Sequence, residues 1–189
     1  ITFAGVGTGT VVENVQVHNS SDDGIEIFGG TLNLRNIVLT GNDDDSFDVD
    51  TGWRGAVQNM LIVQRPNGGD RGLEFSSAGN RTPQAPPAGQ PTAAFTLNTT
   101  PYMANVTIVG RSGGGAAMIL NSGNGLRLWN SVVTKVGGTV ACLDIDDADT
   151  YTAAPTFNGV YMSCPVAFDA DADDEAARFN AGAGNTANG

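Results

Sequence analysis

"VENVQVHN" (Val12–Asn19) returns 22 residues later as "LRNIVLTG" (Leu34–Gly41), then as "VQNMLIVQ" (Val57–Gln64), "MANVTIVG" (Met103–Gly110) and "LWNSVVTK" (Leu128–Lys135). Each copy centres on an asparagine: Asn14, Asn36, Asn59, Asn105 and Asn130. The steps between them are 22, 23, 46 and 25 residues, and 46 is two periods of 23. A weaker copy, "FNGVYMSC" (Phe157–Cys164), centres on Asn158 with its apolar residues displaced by one position. Self-similarity at a fixed short period is the mark of a solenoid.

Around each Asn the apolar residues fall into place. Val12, Leu34, Val57, Met103 and Leu128 stand two residues before it. Val15/Val17, Ile37/Leu39, Met60/Ile62 and Val106/Ile108 alternate after it, so they point one way from a strand. About ten residues on comes another short strand: "GIEI" from Gly24, "SFDV" from Ser46, "GLEF" from Gly72, "AMIL" from Ala117 and "CLDI" from Cys142. Three short strands in each coil of 22–25 residues describe an all-β, right-handed parallel β-helix. The expectation is one β-helix domain over 1–189, a piece of a longer chain. The five Asn residues are expected to be buried at a turn, each bonding to its own backbone and to the Asn above and below.

Two segments depart from the period. Residues 76–100 are rich in Pro, Ala and Gly and read as a long excursion between coils. "DDEAARFNAG" reads as one or two helical turns, with acids at its start and Gly after it. Cys142 and Cys164 are 22 residues apart, one coil, so stacking brings them within disulfide reach. A disulfide would place the protein in an oxidising compartment.

A net charge of −11, with Lys135 the single lysine, argues against nucleic acid or an anionic membrane as partner. No apolar run is long enough to span a bilayer. The acids are concentrated: eight carboxylates lie between Asp22 and Asp50, with Arg35 the one basic residue among them. Asp22/Asp23 and Asp44/Asp45 are one period apart, and Asp70 falls near the same turn of the next coil. A second row, Glu26, Asp48 and Glu74, alternates with inward apolar residues and so points outward. Rows of like charge are unfavourable unless protonated, hydrated or bridged by cations. Asp22, Asp23, Asp44, Asp45 and Asp70 are therefore candidate ligands for Ca²⁺, with a solvated acidic face as the alternative.

Carboxylates on adjacent coils are also how a glycosidase places an acid and a base. "SDDGIEI" and "DDDSFDV" resemble the aspartate motifs of polygalacturonases. The His and the Arg–Lys motif of those enzymes have no counterpart at the following coils, and His18 stands one turn too early. Arg35, Arg54 and Arg71 stand near the acid rows in repeat register, and "RPNGGDRG" offers Arg65 and Arg71 as a lyase-type base beside Ca²⁺. Asp169, Asp171 and Asp173 have an EF-hand-like spacing, but Asp174 and Asn180 stand where that loop needs Gly and Glu.

The segments "TFAGVGTGTVVENVQVHNSSDDGIEIFGGT", "LTGNDDDSFDVDTGWRGAVQNMLIVQ", "GDRGLEF", "MANVTIVG" and "ACLDIDDADTY" resemble a family of secreted or lipid-anchored bacterial surface proteins with right-handed β-helix repeats. The resemblance implies a β-helix and export from the cell, and it supplies no catalytic residues. Two functions follow as expectations. One is a noncatalytic extracellular or outer-surface module for adhesion, scaffolding, filament assembly or receptor association, with a protein or glycan partner. The other is a Ca²⁺-dependent polysaccharide lyase or glycoside hydrolase acting along the acidic face.

Overall fold

The computed structural model describes residues 1–77, 98–170 and 174–188. Two parallel sheets make up the body. One stacks β1 (Thr2–Ala4), β3 (Ile25–Phe28), β5 (Phe47–Asp50), β7 (Leu73–Phe75), β9 (Met118–Leu120) and β11 (Leu143–Ile145). The other stacks β2 (Val11–His18), β4 (Asn33–Thr40), β6 (Ala56–Val63), β8 (Tyr102–Gly110), β10 (Arg127–Lys135), β12 (Thr156–Ser163) and β13 (Thr186–Asn188). Up to β12 the chain alternates between the sheets coil by coil, which gives the right-handed parallel β-helix that the repeat predicts.

The three strands of a coil are hydrogen-bonded as two. Two of them are arms of one bent strand, and the bend is the repeat asparagine. Asn14, Asn36, Asn59, Asn105 and Asn130 all have φ between 46° and 63°. That left-handed region costs most residues steric strain and is tolerated best by Gly, then Asn. The bend interrupts alternation: in β4 Leu34 is buried, Arg35 and Asn36 both face out, and Ile37 is buried again. Both arms can then face the same interior. At the weaker copy Trp129 pairs with Asn158 and Ser131 with Val160, so Gly159, with φ 64°, takes the bend in place of Asn158.

The bend also corrects the expected burial of the asparagines, because all five are exposed. They bond to one another along the outside. Each Nδ2 donates to the Oδ1 of the coil before: Asn36 to Asn14 (3.0 Å), Asn59 to Asn36 (2.8 Å), Asn105 to Asn59 (2.9 Å) and Asn130 to Asn105 (2.7 Å).

Between the sheets, Ile25, Ile27, Phe47, Val49 and Leu73 meet Leu34, Ile37, Leu39, Met60 and Ile62, none more than 3% exposed. Burial of each such side chain contributes about 1.5–3 kcal/mol. Phe47, Trp53 and Phe75 pack edge to face, and Trp53 Nε1 donates to the carbonyl of Leu32 at 3.0 Å. Val15 and Val17, on the first coil, are only partly buried.

At the other end two helices pack on the coils. The helical turn expected near Asp174 is α2 (Glu175–Asn180), with Asp174 accepting from the Ala177 N–H at 2.8 Å. Phe179 of α2 is fully buried against Phe157 and Phe168. A second helix, α1 (Ala148–Ala153), has no repeat signal and is capped by Asp147. Cys142 and Cys164 form a disulfide with Cα atoms 6.1 Å apart, as the one-coil spacing predicts. Of the expected 76–100 excursion, 78–97 lie outside the described residues. Its flanks are tied in: the Thr99 N–H donates to Ser77 Oγ (2.9 Å) and the Thr100 N–H to the Trp53 carbonyl (3.0 Å). Among the described residues no helix is long and apolar enough to cross a membrane.

Candidate functional site

Strand register places the acids. Glu26 pairs with Asp48 and Asp48 with Glu74, on β3, β5 and β7, so this outward row is continuous. The next strand puts Ile119 opposite Glu74, which interrupts the row before Asp144 on β11. In the turns before these strands, carboxylates accept backbone N–H groups from the coil above. Asp23 Oδ1 accepts from Asp45 (3.0 Å), Asp45 Oδ1 from Arg71 (2.6 Å) and Asp70 Oδ1 from Gly115 (2.7 Å). These bonds satisfy turn amides that strand pairing leaves over. Gly24 is needed at this crossing, since a Cβ there would lie 2.4 Å from Asn42 Nδ2 and 2.5 Å from the Ser46 carbonyl oxygen.

The same geometry crowds the carboxylates. Asp22, Asp23 and Asp44 form one group whose oxygens lie within 4.8 Å of one another. Asp23, Glu26 and Asp48 form a second, and Asp44, Asp45 and Asp70 a third. The groups interlock, because Asp23 and Asp44 each belong to two of them. All five candidate ligands fall in these groups, joined by Glu26 and Asp48 from the strand row.

Crowding and burial shift their protonation. Desolvation raises Asp23 to about 6, and the charges of Glu26, Asp44 and Asp22 add to it against the Asp45 N–H bond. Asp48 is raised to about 8 by desolvation, then by Asp23, Asp50, Glu74 and Glu26. Asp44 is raised by desolvation and by Asp70, Asp22 and Glu74. Asp45 is the most buried of them, and desolvation with a side-chain hydrogen bond to Glu74 pushes its pKa up strongly. Asp45 therefore holds its proton to higher pH than a free carboxylate does.

The basic candidates separate. Arg71 enters the ladder: Nη1 lies 2.5 Å from Asp70 Oδ2 and 3.5 Å from Glu74 Oε1. Arg65 pairs with Asp43. Arg35 lies on β4 in the other sheet, paired with Glu13 at 2.9 Å. Arg54 donates its backbone N–H to the Gly30 carbonyl at 3.0 Å. His18 is held at the end of β2 by Thr40 and Asn19. Of the EF-hand-like trio, Asp171 and Asp173 lie outside the described residues.

Two residues beside the ladder were not singled out from the sequence. Lys135 is 4% exposed and its Nζ donates to the Gly115 carbonyl at 2.6 Å. Burial and the nearby Arg111 charge lower its pKa, against Asp70. Arg111 Nε donates to the Gly69 carbonyl at 2.7 Å. For Lys135 a signal existed: alternation from Ser131 through Val133 points it inward.

The ladder is thus an outward strip of interlocked carboxylates, some protonated near neutral pH, bordered by paired arginines. Its donors are all hard oxygens, the set that suits Ca²⁺ with water completing the shell. A family model described as the pectate-lyase-like β-helix domain matches residues 1–183. No curated protein and no solved structure matches the chain.

Proposed function

Since the chain belongs to the pectate-lyase-like β-helix family, we propose that it is a noncatalytic module of an exported bacterial surface protein that grips acidic polysaccharide through Ca²⁺. Asp22, Asp23, Asp44, Asp45 and Asp70 would hold the cation. The interlocked carboxylate groups carry this reading, because two layers of carboxylate, one on the protein and one on the glycan, attract only with cations between them. The disulfide supports an oxidising, extracellular setting. The noncatalytic part rests on engagement of the best-placed groups. The arginine that enters the ladder, Arg71, has its Nη1 engaged by Asp70 and Glu74.

One observation favours a second reading, a Ca²⁺-dependent polysaccharide lyase or hydrolase. Asp23 is only partly buried and desolvation raises its pKa to about 6, which suits a general acid or base near neutral pH. Within each group one oxygen of each carboxylate lies within 4.8 Å of the others, against the roughly 6.5–9.5 Å between the carboxyl groups of an inverting pair. Retention on immobilised polygalacturonate, with and without EDTA, separates the readings. Ca²⁺-dependent retention lost in Asp44→Asn, with no new reducing ends or unsaturated products, is the expected result. Product formation lost in Asp23→Asn selects the enzyme. No retention and no product overturns both.

A further inference from the structure

The outer face of the bent strands is a second surface with different chemistry. Two hollows flank the asparagine row there. One, of about 320 Å³, is lined by Thr10, Glu13, Asn33, Arg35 and Gln58 among others. The other, of about 290 Å³, is lined by Asn36, Asn59, Asn105, Val38 and Leu61 with neighbouring backbone. We propose that this surface docks an uncharged polysaccharide lying along the asparagine row.

Hydrogen-bond capacity comes first. A carboxamide has two N–H donors and an oxygen with two lone pairs. An inner ladder Asn such as Asn59 spends one N–H on Asn36 and one lone pair on Asn105. Each such coil therefore presents a spare donor and a spare acceptor at the strand spacing of about 4.8 Å. Sugar hydroxyls both donate and accept, so a chain of them matches this row.

The fold does not require those amides. Its demand at the bend is the left-handed φ, and Gly159 meets that demand with no side chain. An exposed amide row is extra chemistry laid on a bend that glycine makes as well.

Charge selects the occupant. The carboxylate on this face, Glu13, is neutralised by Arg35 at 2.9 Å. Besides Arg35, an acidic glycan would find Arg127 here, already engaged with the ring and hydroxyl of Tyr102, on a molecule of net charge −11 with no cation ladder to bridge it. A second copy would bring the same net charge against a row of solvated amides, which is unlike the charge-poor, apolar centre of a stable interface. An uncharged, hydroxyl-rich chain meets neither obstacle. Val38 and Leu61 beside the row, and the parallel rings of Tyr102 and Trp129 further along, give apolar area for sugar C–H faces.

Affinity electrophoresis through gels holding hydroxyethylcellulose, xylan or galactomannan, with and without EDTA, tests the proposal. Retardation by at least one of them is expected. It should weaken fivefold or more in Asn59→Gly/Asn105→Gly, where glycine keeps the bend, and in Gln58→Ala, which leaves the bend untouched. Asp44→Asn should be retarded like the wild type, which separates this surface from the acidic ladder. The proposal is overturned by no retardation in any of the three gels, by retardation that survives in both amide variants, or by retardation that EDTA abolishes.

Discussion

The first three coils and the last three share a core and differ on their surface. From β3 to β7 the outward strand row reads Glu26, Asp48, Glu74, and the turns before it carry Asp23, Asp45 and Asp70. On β9 and β11 the same row reads Ile119 and Asp144, so no two carboxylates are adjacent there, and Gly115 supplies only a backbone N–H to Asp70. Inward positions do not change character: Ile25, Phe47, Leu73, Met118 and Leu143 pair in sequence and are all fully buried. The difference teaches that the solenoid is specified from inside. Its outward rungs are free to take up chemistry that an isolated strand pair would not tolerate, because like charges directly opposite one another destabilise a sheet.

The sharpest way to break the comparison is to attack what the two ends share. Phe47→Ala in the acidic coils and Phe157→Ala in the last coils each remove a fully buried ring. Each should cost about 3–5 kcal/mol in urea unfolding, whichever surface lies outside. A much milder loss at Phe47 would mean that the acidic coils are already loosened by their own charge.

Next in size is the staple that only the later coils possess. The disulfide closes a separation of 22 residues, and replacing both cysteines by Ala should cost about 2–4 kcal/mol. The Ca²⁺ response of the acidic coils should survive that replacement. Loss of both together would show that the two ends unfold as one unit and that the ladder depends on the far end.

The acidic coils, where carboxylates stand opposite one another on adjacent strands, should answer to pH more strongly than the later coils, where Asp144 stands opposite Ile119. Asp23 is raised to about 6 and Asp48 to about 8, from 3.8. The folded state therefore holds protons that the unfolded chain releases, and stability falls as pH rises. The contribution is fully present below about pH 4 and is lost as pH climbs through the folded values, between about 4 and 8. Hydrogen exchange, corrected for its intrinsic pH dependence, should show β3, β5 and β7 opening relative to β9 and β11 over that range. Asp48→Asn should flatten the trend. Equal protection of both sets of strands at every pH would remove the electrostatic distinction.

How much of this was legible follows from the same division. A fixed period and inward alternation determine register, so the stacking of Asp23 on Asp45 and of Glu26 on Asp48 and Glu74 could be read from residue numbers. Arg71 could not. The step from Asp45 to Arg71 is 26 residues, longer than the coil before it, and the extra residues of the "RPNGGD" turn decide whether an acid or a base meets Asp45. Burial of the asparagines was misjudged because apolar neighbours on both sides suggested an inward side chain. A left-handed residue inside a strand shifts the alternation by one, and only the backbone angles reveal it.

The smallest expected effect tests that last point. Asn105 has φ 59°, and its side chain bonds to Asn59 and accepts from Asn130. Asn105→Gly removes both exposed bonds but keeps a residue at ease with this φ, so stability should change by less than about 1 kcal/mol. Asn105→Ala removes the same bonds and adds the left-handed penalty of about 1–2 kcal/mol. The gap between the two variants therefore measures the backbone demand, and the gap between wild type and glycine measures the ladder. Equal losses in both variants would make the side-chain bonds, and not the bend, the reason for asparagine at this position. The exposed amides would then be part of what holds the coils together, as the Gly159 bend argues they are not.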